Sequence, residues 1–175
     1  MAPLVSSMSR RHLLLGLVTS MVTILKPSMA SAASPAGEAT WDLTESQWRQ
    51  RLSPEEFDVL RREGTERPFT SRALLEEKRD GTFVCKGCEL PLFSSATKYE
   101  SGTGWPSFWE PLPNNIATKL DFKLFLPRTE YHCRRCGGHQ GHVFNDGPQP
   151  TGKRYCNNGV ALAFVPADAA ETPVN

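Results

Sequence analysis

Five cysteines carry most of the reactive chemistry available to this 175-residue chain. Four of them form two CxxC pairs, Cys85-Lys86-Gly87-Cys88 and Cys133-Arg134-Arg135-Cys136, and the fifth, Cys156, stands alone in KRYCNNG. A CxxC turn sets two thiolates on one side of a tight loop, and two such turns facing each other make a tetrahedral S₄ site. That geometry suits one structural Zn²⁺ and leaves no position open for a substrate. The pairs are separated by residues 89–132, so the fold must bring them together and the metal would act as a staple. Oxidation of the pairs to disulfides, or use of one as a redox motif, are the competing readings.

With the pairs committed to metal, Cys156 is left free. A free cysteine is usually a small buried apolar residue, but its neighbours here could do chemistry. Arg154 and Asn158 each stand two residues away, where a strand would put them on the same face. Arg154 would favour the thiolate and Asn158 would add an amide donor. Upstream, His139-Gln140-Gly141-His142 supplies two imidazoles, with Asp146 placed to orient one. These are parts for thiolate catalysis with a nearby acid. The HxxH spacing could also be half of a metal site.

The elements that must position these residues are short. Thr44-Glu45-Ser46-Gln47 and Ser53-Pro54-Glu55-Glu56 both match the capping box, the second with Pro at the first helical position. The second helix shows Phe57, Leu60 and Val59 on its apolar face and Gly64 as its stop. A third short helix is expected around Ala73 to Lys78. From Gly81 on, the chain changes to β-prone runs (GTFVC, KLDFKLFLP, EYHC, GHVF, VALAFVP) broken by Gly, Pro, Asn and Asp. Phe122, Leu124 and Leu126 alternate with their neighbours, which predicts a strand with one buried face. Helices come first and an antiparallel sheet follows, carrying the chemistry.

The N-terminus has a different character. MAPLVSSMSRR is basic and free of acids, Leu13–Leu25 is apolar, and Ser28-Met29-Ala30 and Ala30-Ser31-Ala32 offer small-x-small cleavage sites. Residues 1–32 therefore read as a secretory signal, too short to span a bilayer comfortably, and SRRHLL resembles a twin-arginine signal for export of folded proteins. A retained anchor is the other reading. Residues 33–40 read as a linker, 41–166 as one domain and 167–175 as a frayed tail. Cleavage after residue 30 would remove Arg10, Arg11 and Lys26, three of the 20 basic residues, and none of the 19 acidic ones. The resulting formal charge of −2 gives no electrostatic case for nucleic acid or an anionic membrane.

Three long motifs, SGTGWPSFWEP (101–111), GGHQGHVFNDGPQPTGKRYC (137–156) and the paired CxxC turns, in this order, closely resemble the B-type peptide methionine sulfoxide reductases. The resemblance runs from about Trp41 to Pro166. It implies a mainly β fold of two antiparallel sheets with short N-terminal helices and a Cys₄ zinc site lying away from the active cysteine. Cys156 stands where the family has its nucleophile, His139 and His142 where it has the pair that assists the sulfoxide oxygen, and Arg154 and Asn158 where it has residues supporting the thiolate and the site. Trp105 matches the indole that walls the pocket for the substrate's S-methyl group, Asp146 a partner of a histidine, and Phe144 joins them on the substrate side. Phe108 and Trp109 are left to packing. The implied partners are oxidised proteins or peptides and a thioredoxin-like reductant, with a monomer as the default.

The chain also departs from that pattern. Many relatives have a resolving cysteine in SGCGWPSF, where this chain has Thr103, which implies a one-cysteine cycle closed by an external thiol. Gln140 stands where the family usually has an apolar residue, and Gly159 removes a side chain beside the site. A zinc-ribbon binding module and a cysteine hydrolase using Cys156, a histidine and Asn158 remain as alternatives at this point.

Overall fold

The computed structural model describes residues 41–124 and 126–168. The expected leader and linker, and all but the start of the expected tail, lie outside the described residues. Among the described residues no helix is long and apolar enough to cross a membrane.

Both capping boxes form. The Thr44 hydroxyl accepts from the Gln47 N–H while Gln47 Oε1 accepts from the Thr44 N–H, opening α1 (Glu45–Arg51). Ser53 and Glu56 repeat the exchange at the start of α2 (Pro54–Arg62). The stop of α2 differs from the expectation. Glu63, not Gly64, takes the left-handed position (φ 57°), and the Gly64 N–H then closes on the Asp58 carbonyl at 3.0 Å. The third helix, α3, is shorter than expected, Arg72–Leu75.

Nine strands follow among the described residues: β1 (Gly81–Cys85), β2 (Pro91–Ser94), β3 (Lys98–Tyr99), β4 (Ser107–Phe108), β5 (Ile116–Asp121), β6 (Arg128–Cys133), β7 (His139–Phe144), β8 (Arg154–Asn157) and β9 (Leu162–Pro166). They make two antiparallel sheets, one of three strands in the order β2-β1-β9 and one of six in the order β3-β4-β8-β7-β6-β5. The expected mainly β fold with two antiparallel sheets is thus the one observed.

The core lies between the sheets and under the helices. Phe83 and Phe93 of the small sheet meet Phe108 of the large one at ring-centroid distances of 5.0 and 4.2 Å, and Tyr131 closes on Phe93 edge to face. Trp48, Phe57, Val59 and Leu60 bring the apolar faces of α1 and α2 into the same cluster. Phe108 is fully buried, as packing requires.

The strand expected through Phe122, Leu124 and Leu126 is absent. β5 and β6 are antiparallel neighbours whose last pair is Asp121 opposite Arg128, so the described residues between them, 122–124 and 126–127, belong to the connection. The Asp121 carboxylate accepts the Lys123 N–H at 2.8 Å, which turns the chain. Phe122, Leu124 and Leu126 are left 68, 58 and 71% exposed.

Candidate active site

The register of the large sheet builds the site. β8 lies between β4 and β7, with Cys156 directly opposite Ser107 on one side and His142 on the other. Phe144 is opposite Arg154 in the same ladder. Since alternate residues of a strand share a face, Cys156, Arg154, His142 and Phe144 stand together, and the Arg154 guanidinium lies 4.3 Å from the Phe144 ring centroid. Cys156 opens onto a small cleft of about 120 Å³ walled by Trp105, His142, Phe144, Arg128 and Asn158.

The SGTGWPSF segment reaches this cleft through a turn at Gly102 and Gly104, with φ of 72° and 87°. A β-carbon at Gly104 would come within 2.8 Å of Pro68 and Phe69, so only glycine carries Trp105 past that segment. The Trp105 indole N–H donates to the Glu66 carbonyl at 3.2 Å.

The Cys156 thiol is half-buried, and burial holds its pKa above the ordinary thiol value. The nearby Arg154 charge and the Thr103 side chain act in the opposite direction. The Thr103 hydroxyl is paired with the Ser101 hydroxyl at 2.8 Å.

Both imidazoles are backed by carboxylates. His139 Nδ1 lies 2.7 Å from Glu130 Oε1, and the other Glu130 oxygen meets His132 Nδ1 at 3.0 Å. Burial works against the Glu130 carboxylate, and the two histidine contacts outweigh it, so its pKa is lowered. His142 Nε2 lies 2.7 Å from Asp121 Oδ2, which also accepts from Arg128 at 2.5 Å. Burial pulls the His142 pKa below its ordinary value despite that carboxylate. The two rings are 5.5 Å apart, and His139 Nε2 is buried with no hydrogen-bond partner among the described residues.

Asp146 departs from the expected role of histidine partner. It forms a two-point pair with Arg154, at 2.9 and 2.8 Å, and steers the guanidinium instead. Its side chain is 62% exposed. The histidines take their carboxylates from β5 and β6, across the ladder from β7. Asn158 lines the cleft, but its amide is spent on structure, with Oδ1 accepting from the Glu66 N–H and Nδ2 donating to the Gln140 carbonyl.

Glu66 has no counterpart among the sequence-based expectations. It is buried, and its carboxylate accepts from the Gly159 and Val160 N–H groups and the Ser71 hydroxyl at 2.6–3.0 Å. With its main chain bound to Trp105 and Asn158, it ties the loop before α3 to both walls of the cleft. Nothing local in the sequence marks it. The only signal for Asp121, Glu130 and Arg128 is their nearness to the ends of β-prone runs.

The four paired cysteines gather elsewhere. Cys85 and Cys88 flank the β1–β2 turn, Cys133 and Cys136 the β6–β7 turn, all are buried, and their sulfurs lie within 4.8 Å of one another. None is in a disulfide. The 3.7 Å Cys85–Cys136 and 3.4 Å Cys88–Cys133 contacts are near the edge of about 3.8 Å that a tetrahedron with Zn–S of about 2.3 Å requires. The residues fit a structural metal such as zinc. Gln140 is buried beside them, its amide N–H 3.4 Å from Cys85 Sγ and its oxygen facing Asn157. A polar residue at that position thus has a partner at each end.

A SelR domain model matches residues 52–166. The chain is 51% identical over 121 residues to peptide methionine sulfoxide reductase B1, chloroplastic, of Arabidopsis thaliana, covering 69% of this chain and 59% of that one. It is 48% identical over 130 residues to peptide methionine sulfoxide reductase MsrB of Alteromonas mediterranea, covering 74% and 91%. It is 51% identical over 130 residues to the MsrB of Pseudomonas putida, covering 74% and 97%. The match thus spans less than two thirds of the plastid relative and nearly the whole of the bacterial ones.

Proposed function

The chain belongs to the SelR domain family, that of the B-type methionine sulfoxide reductases, and on that premise we propose that it reduces methionine-R-sulfoxide in oxidised proteins or peptides, with Cys156 as nucleophile. The observation that carries this reading is the register. The one cysteine outside the metal cluster faces His142 across the ladder and opens into a cleft walled by Trp105.

The Cys156 thiolate attacks the sulfoxide sulfur. As the S–O bond breaks, the oxygen passes to Cys156 as a sulfenic acid and methionine leaves, so methionine sulfur is reduced by the two electrons that cysteine sulfur gives up. The imidazole pair, held by Glu130 and Asp121, supplies the proton that the departing oxygen needs, a contribution typically worth about 10²–10⁴-fold. Trp105 and Phe144 give the S-methyl group an apolar wall. Arg154, aimed by Asp146, stabilises the thiolate.

Thr103 cannot form a disulfide, and the other four thiols are held in the cluster. An external thiol therefore attacks the sulfenic acid, releasing water and leaving a mixed disulfide, and a second thiol restores Cys156. A thioredoxin-like protein suits that role. Cys85, Cys88, Cys133 and Cys136 would hold one Zn²⁺, which would supply a structural staple between the two sheets. Export by the twin-arginine leader would place a monomer in the periplasm or outside the cell, with that reductant supplied there.

The test is the loss of each diastereomer of capped methionine sulfoxide in excess dithiothreitol, with Cys156→Ser alongside. Consumption of the R form alone, abolished in the variant, supports the reading. Consumption of neither form by folded, zinc-loaded protein refutes it.

A further inference from the structure

We propose that the apolar groove beside the reactive cleft holds the residues flanking the oxidised methionine, so that the protein selects polypeptide substrates whose methionine sulfoxide lies among apolar side chains. This deepens the reductase reading and rests on it.

The cleft over Cys156, about 120 Å³, takes little more than one side chain, so the substrate's main chain and neighbouring side chains must lie outside it. Next to it is a wider groove of about 780 Å³, walled mainly by Leu124, Leu126, Pro127, Val143 and Phe144, with Thr129 and Asn145 as its neutral polar members. Phe144 and Arg128 belong to the walls of both. The groove therefore adjoins the cleft over Cys156, with Phe144 and Arg128 between them.

The loop that supplies the groove is unusually apolar for a surface. Leu120 at the end of β5, and Phe122, Leu124 and Leu126 after it, are each 58–71% exposed, and the last two line the groove. Single scattered apolar residues are ordinary on a surface, and a clustered group marks a contact surface. The base of this loop is fixed to the chemistry. Asp121 turns the loop through the Lys123 N–H and holds both Arg128 and His142, which itself faces Cys156. Arg128, the one cation in the groove's wall, is neutralised by this contact.

The substrate's own chemistry matches. Methionine is mostly a core residue, and its oxidation disrupts the packing around it. The segments that present methionine sulfoxide are then apolar stretches of loosened chain.

The experiment uses the full chain and three substrates: capped methionine-R-sulfoxide, and two peptides in which that residue is flanked by leucines or by serines. Wild type and a Leu124→Ser/Leu126→Ser double variant are compared. Since one apolar contact is worth about tenfold or more in discrimination, wild type should favour the leucine-flanked peptide by at least about tenfold in kcat/KM, through KM. The double variant should lose most of that preference and still turn over the capped amino acid within about twofold of wild type. Equal use of both peptides by wild type, or a preference that survives in the double variant, would overturn the inference. So would a dimer in sedimentation that the double variant dissolves, with no flank preference, which would give the groove to a second copy. Failure to reduce the capped amino acid would count against the reductase reading itself.

Discussion

Cys156 works against its own burial. Desolvation raises its pKa while Arg154 and Thr103 lower it, so thiolate is a minor species near neutrality and alkylation should speed up as pH rises through the thiol pKa. Removing the Arg154 charge disfavours the anion and moves that pKa further up. Arg154→Ala should therefore react more slowly with iodoacetamide at any pH below the midpoint, by about tenfold for every pH unit that the midpoint rises, while the four clustered thiols stay protected in the metal-loaded protein. An unchanged midpoint would remove Arg154 from the account. Glu66→Gln puts an amide where three donors now converge, costing about 1–3 kcal/mol. It should lower kcat/KM because Trp105 and Asn158 both rest on that segment, and normal kinetics in a destabilised variant would make Glu66 merely structural. The spacing of two and three residues singles out Cys156, Arg154 and the two histidines as parts for thiolate chemistry, while their roles come only with the family resemblance. Their carboxylates are not, because Asp121 and Glu130 arrive across a ladder whose register is not written locally, and Asp146, the near neighbour, pairs with Arg154.

At the scale of the elements, both capping boxes are legible because a cap is a local contact. Ser53→Ala should cost about 1 kcal/mol in urea unfolding, and no change would mean that α2 is held by packing alone. The loop at 122–126 carries the pattern of a strand without being one, because period-two apolar alternation marks half-burial only if a second layer covers it. Here β5 ends at Asp121 and those side chains face solvent. The β7–β8 pairing is the tightest constraint on the site. A β-carbon at Gly141 would fall 1.9 Å from the Cys156 carbonyl oxygen, so Gly141→Ala must push the strand of Cys156 away. It should abolish turnover while zinc remains bound, and an active, folded variant would show that the strand spacing is slack.

Across the whole molecule, the metal site joins the two sheets. One cysteine pair belongs to the β1–β2 turn of the small sheet and the other to the β6–β7 turn of the large one. Structural zinc can contribute about 10–16 kcal/mol of apparent binding energy to such folds, more than a domain of this size usually has in reserve. Cys88→Ser or a strong chelator should lower Tm sharply and release zinc before activity is lost through any change at Cys156. A chelated protein with unchanged Tm would contradict a structural role. The cysteine pattern is enough to name the ligands, while the order of strands, fixed by contacts between distant residues, comes only with the fold.

The central claim is that Cys156 receives the oxygen of the substrate. The most direct measurement is a single turnover without reductant, followed by mass spectrometry with a sulfenic-acid trap. One methionine formed per protein, one trapped adduct located at Cys156 and the four other cysteines unmodified are the expected result. Methionine formed with no adduct at Cys156, or a disulfide joining it to one of the four, would contradict it.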